Sequence, residues 1–309
     1  YVSTRGAAPK KRFKDILLEG LASDGGLYLP ESFPRLPLAA LRGKSYPELA
    51  KAVLGPYMGD VAGLDALIER TYTKAVFGSD DVTPLVTLEP GLHLLGLSNG
   101  PTLAFKDVAL QLLGRMLDHT LSARGQHATI VGATSGDTGS AAIDGVKGCS
   151  HVDIVILYPN GRTSEVQRRQ MTTVLDDNVH NIALQGTFDD TQNIVKALFA
   201  DAEFSQRHAL AAVNSINFAR IAAQSAFYFN TSAYLLSEGA PSFVVPTGNF
   251  GDIFSGETAA RMGVPIKRLV IATNANDIMA RALNEGVYTA GAARQTLSPS
   301  MDIQVASNF

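Results

Sequence analysis

The spacing of apolar positions changes character partway along the chain. From Phe13 to Leu21 they recur at helical intervals, and then a DGG turn at Asp24 to Gly26 and prolines at 30, 34 and 37 break the pattern into short pieces. From about residue 89, short β-branched runs alternate with longer stretches of helical periodicity. The runs Ala128 to Ala133, Asp153 to Tyr158, Asn181 to Leu184, Ser242 to Val245 and Leu269 to Thr273 predict strands, while Asp107 to Leu121 and Ile216 to Leu236 predict helices. Apolar strands alternating with helices point to a parallel sheet flanked by helices. The expected fold class is therefore α/β, with a small, mostly helical module over residues 1–88 ahead of a larger part over residues 89–309. No internal repeat or low-complexity segment interrupts this plan.

Composition narrows the picture. With 309 residues the chain can bury a sizeable core, and 26 Lys plus Arg against 29 Asp plus Glu leave a net charge of -3. That balance offers no broad basic surface, so neither nucleic acid nor an anionic membrane is expected as a partner. The single cysteine, Cys149, cannot form an internal disulfide and reads as a packing residue. The histidines at 93, 119, 127, 151, 180 and 208 are scattered without metal-ligand spacing, so no metal is expected. The opening residues lack the apolar core of a signal peptide, and no later segment is apolar long enough to span a bilayer, so the expected location is the cytoplasm. The residues specify no oligomeric state.

Two runs join a predicted strand to a predicted helix through small residues. In ATIVGATSGDTGSAA these are Thr134, Ser135, Gly136, Asp137, Thr138 and Gly139, and in SFVVPTGNFGDIFSG they are Gly248, Asn249, Phe250, Gly251 and Asp252. Such loops leave N–H groups uncovered at a helix start, where an anion is favoured, although a tight turn with a good cap would read the same way. Neither run is a dinucleotide or nucleoside-triphosphate motif. Two anion loops at the carboxyl ends of strands in one sheet would suit a ligand bridging them, such as a phosphate-bearing cofactor with a carboxylate-bearing substrate.

Lys106 lies in PTLAFKDVAL, apolar on both sides of the charge. Taken alone it reads as a solvated lysine; partly buried, its neutral amine would be favoured and could form an imine with an aldehyde cofactor. Arg168 with Arg169, Asp189 with Asp190, and Lys10-Lys11-Arg12 read as solvated charge.

Together, SNGPTLAFKD (98–107), ATSGDTG (133–139) and PTGNFGD (246–252) resemble the three signatures of fold-type II pyridoxal-phosphate enzymes. With YVSTRG, DGGLYLPE, NGRTSEVQRRQMTT (160–173), VNSINFAR (213–220) and TLSPSMDI (296–303), nearly the whole chain is similar to the threonine synthase family with an extra N-terminal domain. The resemblance implies such a domain over residues 1–88 and a pyridoxal 5'-phosphate-dependent catalytic core over residues 89–309. It implies that Lys106 holds the cofactor as a Schiff base and that Gly248, Asn249, Phe250, Gly251 and Asp252 bind its phosphate. Asp137 would face the cofactor ring, at a position where relatives of the fold often carry Asn. Thr134, Ser135 and Thr138 would take the substrate carboxylate. The implied substrate is O-phospho-L-homoserine, converted with water to L-threonine and phosphate by γ-elimination and β-addition. For its phosphate, Asn214, Ser215, Asn217 and Arg220 are the candidates, because an arginine fork with neutral donors suits a dianion. A further segment after Phe309 is implied, carrying the hydroxyl residue that faces the pyridine nitrogen. The rival readings are a serine or threonine dehydratase of the same fold and a catalytically silent cofactor-binding or phosphate-sensing protein.

Overall fold

The computed structural model describes residues 1–212, 216–306 and 308–309. At the N-terminal end, β1 (Val2–Ser3) and β2 (Tyr28–Leu29) pair antiparallel and enclose α1 (Phe13–Glu19). Helix α2 (Tyr46–Met58) opens on a reciprocal capping box between Ser45 and Glu48 with a proline in its first turn, a strong local start signal. It buries Leu49, Val53 and Tyr57, four residues apart, along with Ala50 and Leu54 beside them. Helices α3 (Leu64–Thr71) and α4 (Lys74–Phe77) complete this part. A hairpin of β3 (Leu85–Glu89) and β4 (Leu92–Leu95) follows; its side chains are mostly exposed, so no clean alternation announced it.

The larger part alternates as the pattern required. In order it contains α5 (Asp107–Arg124), β5 (Ala128–Ala133), α6 (Asp137–Val146), β6 (Val152–Pro159), α7 (Glu165–Thr172), β7 (Val179–Leu184), α8 (Phe188–Ala200), α9 (Ala202–Arg207) and β8 (Leu210–Ala211). Then come α10 (Phe218–Tyr234), β9 (Ser242–Pro246), α11 (Gly251–Arg261), β10 (Arg268–Ala272) and α12 (Ile278–Glu285). Four strands form a parallel sheet in the order β7-β6-β5-β8, while β9 and β10 form a separate parallel pair. The expectation of one sheet carrying both small-residue loops is therefore corrected. Periodicity marks strands but not their partners, and the free edge of β5 is taken by β8, two residues long and invisible as a pattern. The two sheets are linked through helices, with α10 packing on both α5 and α11.

One hydrophobic core runs through both parts, joining Leu49, Val53 and Ile68 to Leu112 and Met116 of α5 and to Ala222 and Phe229 of α10. Cys149 packs against it half-buried, and burial pushes its thiol up to about 11. Helices α5 and α6 cross backbone against backbone. A Cβ on Gly114 would stand 2.0 Å from the Gly145 carbonyl oxygen, and one on Gly145 would stand 2.5 Å from that of Leu110. This crossing matters because α5 starts one residue after Lys106 and α6 starts at Asp137.

Candidate active site

Lys106 occupies the N-cap position of α5, where its side chain is only 12% exposed. Its Nζ donates to Asp137 Oδ2 at the start of α6 and lies 4.6 Å from the centroid of the Phe105 ring. The ammonium is thus met by a carboxylate and an aromatic face, not left as a solvated surface charge. The segment before it is stapled: Asp107 accepts from the Thr102 N–H at 2.8 Å and the Thr102 hydroxyl at 2.7 Å, while Gln170 Nε2 of α7 donates to the Thr102 carbonyl at 2.9 Å. Burial raises the Asp107 carboxyl above its usual range, against the Thr102 hydrogen bonds. Leu103 within the staple holds φ at 62°, a left-handed conformation that non-glycine residues adopt at a cost. Sequence reading missed Thr102, Asp107 and Gln170; a carboxylate directly after the lysine was the one available signal.

The first small-residue loop is shaped from within. Thr134 is buried, and its Oγ1 accepts from the N–H groups of Gly136 at 3.0 Å and Gly139 at 2.9 Å; Asp137 Oδ1 accepts from the Thr138 N–H at 2.7 Å. The N–H groups of Gly136, Thr138 and Gly139 are thus met from within the loop. The half-buried hydroxyls of Ser135 and Thr138 remain as outward candidates. Burial pushes the Asp137 carboxyl upward. The charge and hydrogen bond of Lys106, with those of Ser300 and Thr138, outweigh this and hold it below its ordinary value.

The second loop has the opposite character. Among the described residues no side chain caps α11, which leaves its first turn to other acceptors, and Phe250 at its N-cap is left-handed with φ 66°. Gly248 lies close to the 300–301 segment, where a Cβ would come within 3.0 Å of the Ser300 carbonyl oxygen. Asn249 is exposed, and its carbonyl accepts from Asn308 at 3.0 Å. Asp252, next to Gly251 in the first turn of α11, contacts the Tyr228 hydroxyl of α10 at 3.0 Å. Burial pushes its carboxyl up to about 6, against the Tyr228 hydrogen bond and the nearby Lys106 charge.

Of the expected substrate-phosphate group, Arg220 is buried on α10, and burial lowers its guanidinium to about 10 against the opposing pull of Asp137. Asn217 caps α10, its carboxamide accepting from the Ala219 N–H at 3.0 Å and donating to the Leu17 carbonyl at 3.0 Å. Asn214 and Ser215 lie outside the described residues. The structure thus gathers Lys106, Asp137, Arg220 and Asp252 into one buried electrostatic cluster. A surface cavity of about 620 Å³ lies elsewhere, beside α1 and the end of α5. Its charged lining is largely paired internally, Lys10 with Glu31, Lys11 with Glu19 and Arg124 with Asp15, which argues against a built anion site. Among the described residues, no group of three or more His, Cys, Asp or Glu side chains could hold a metal ion.

Comparison with known proteins bears on this cluster. Residues 1–72 match the family model described as threonine synthase N terminus, and residues 78–309 match that of pyridoxal-phosphate dependent enzymes. The chain is 54% identical to the threonine synthase of Pseudomonas aeruginosa, covering all of this chain and 67% of that one. The crystal structure of PLP-bound threonine synthase from Brucella melitensis superposes with a TM-score of 0.94 at 53% identity, over 99% of this chain and 67% of that one. Threonine synthase from yeast gives 0.90 at 45%, over 99% and 64%. The chain therefore spans about two thirds of the length of these relatives.

Proposed function

The chain belongs to the threonine synthase family of pyridoxal-phosphate enzymes, and we propose that it converts O-phospho-L-homoserine and water to L-threonine and phosphate, with Lys106 as the anchor of pyridoxal 5'-phosphate. The observation that carries this reading is the placement of Lys106: a half-buried amine at a helix start, against Asp137, within electrostatic reach of Asp252 at a second helix start, with Arg220 within electrostatic reach of Asp137. The glycine loop supports a phosphate site, because no described side chain caps the first turn of α11 and its N–H groups favour an anion.

Gly248, Asn249, Phe250, Gly251 and Asp252 would hold that phosphate, and Asp137 would stand at the cofactor ring. When bound, pyridoxal phosphate supplies a sink for the electron pair released at the substrate α-carbon. Lys106, freed as an amine, is placed to take the α-proton and to serve further proton transfers along the substrate, which requires it to stay near successive carbons. The hydroxyls of Ser135 and Thr138 orient the substrate carboxylate, and Arg220 holds the departing phosphate through its planar fork. Burial of Lys106, Arg220 and Asp137 excludes water from these charges and strengthens each interaction.

Two assays separate this reading from a dehydratase: phosphate release from O-phosphohomoserine, and keto-acid formation from threonine. The first should be positive and the second far weaker; the reverse would reassign the chain. A visible cofactor band that shifts with substrate while no product forms would favour a silent binding protein. Lys106→Ala should abolish both turnover and the band, and substantial activity in that variant would remove Lys106 from the mechanism. No helix of the described residues is long and apolar enough to cross a membrane, and the cytoplasm is our proposed working compartment.

A further inference from the structure

Asp137 is the half-buried acid that two cations share, the half-buried Lys106 and the buried Arg220. Its carboxylate contacts Lys106 Nζ and lies within electrostatic reach of Arg220 on α10; it also accepts from the Thr138 N–H. The other acids near the lysine are engaged elsewhere. Both carboxylate oxygens of Asp107 are taken by Thr102, and the Asp252 carboxyl hydrogen-bonds Tyr228 and reaches Lys106 only through space. Among the described groups, Asp137 is therefore the one anion in contact with the lysine nitrogen, and the Gly114–Gly145 crossing fixes the two helices that carry them.

We propose that Asp137 is a positioning residue that governs the proton on the Lys106 nitrogen: its carboxylate keeps that nitrogen cationic and oriented, first as the free ammonium and then once the lysine is joined to the cofactor. The proposal rests on Lys106 being the cofactor's anchor. A carboxylate in contact with a cationic nitrogen, sheltered from water, favours the charged form over the neutral one. A cationic nitrogen draws electrons from the carbon that the incoming substrate amine attacks, so Asp137 prepares the lysine for displacement without itself touching substrate. An asparagine at this position would keep the shape and lose the charge.

The test compares the cofactor-loaded protein with its Asp137→Asn and Asp137→Glu variants, recording visible absorbance across a pH titration. In Asp137→Asn the midpoint for loss of the protonated band should fall by roughly one to three pH units, and in Asp137→Glu it should return close to the parent value. Where the parent keeps that band throughout, a midpoint entering the range in the Asn variant is the same shift. Failure of the Asn variant alone to take up cofactor, with the Glu variant loading normally, also supports a requirement for charge. An unmoved midpoint in the Asn variant, or equal loss of uptake in both variants, overturns the proposal. Borohydride reduction and peptide mapping separate two failures. Label on Lys106 with an unmoved midpoint removes only the role of Asp137, whereas label on another residue removes the anchor and the proposal with it.

Discussion

At the scale of single residues, the state of each charged side chain follows from what surrounds it in space. Lys106 read alone as a solvated lysine, and only its neighbours in space show it to be largely shielded and held by Asp137. Asp252 gives the clearest measurable consequence. Its carboxyl sits at about 6 in the folded chain against an ordinary 3.8, because burial disfavours its charge. Between those values the folded chain holds a proton that the unfolded chain has lost. The stability from this group is therefore fully present below the ordinary value and is lost as pH rises through about 6. Asp252→Asn should make the cofactor-free protein more stable than its parent at neutral pH by up to about 3 kcal/mol, with the gap closing as the solution is acidified. Denaturant unfolding at several pH values checks this, and a gap independent of pH would contradict it. The tolerance of Arg220 is narrower. Arg220→Lys keeps a charge but loses the planar fork, so it should raise KM for the phosphorylated substrate more than it lowers kcat.

At the scale of elements, strands β5, β6, β7, β9 and β10 and helices α5 and α10 were legible because each repeats one period long enough to be seen. The hairpin β3–β4 and the short β8 were not: the hairpin's apolar residues Val86, Leu88, Leu92 and Leu94 are exposed instead of facing a core, and a two-residue strand is too short to show a period. Nor did the pattern show that α5 and α6 touch through glycine. A methyl at Gly145 would drive the helices apart at the point where they position Lys106 and Asp137. Gly145→Ala should cost about 1–3 kcal/mol or more and lower the melting temperature. It should also weaken cofactor retention, which separates it from an ordinary packing defect; unchanged melting would mean that the helices can slide without loss.

At the scale of the whole molecule, the N-terminal helices are not a detachable cap. Tyr72 donates to the Val108 carbonyl at 2.9 Å, Asn217 reaches the Leu17 carbonyl, and apolar residues from α1, α2 and α3 share a core with α5 and α10. Calorimetry should accordingly show one cooperative unfolding transition, and two resolved transitions would show that the helices melt independently. The two family matches meet between residues 72 and 78, and the packing continues across that junction.

By itself, the sequence determined the periods, the two glycine-bearing loops and the order of three signatures around one lysine, because these are local features written in adjacent residues. Tertiary structure alone decided which loop still has open donors. Thr134 and Asp137 meet the Gly136, Thr138 and Gly139 N–H groups of the first, while the second begins a helix that no described side chain caps. It also decided that the loops follow strands of two separate sheets and that Lys106, Asp137, Arg220 and Asp252 meet in one buried cluster. Hydrogen-bond saturation, strand partnership and burial each depend on residues far apart in the chain, so no local pattern could carry them.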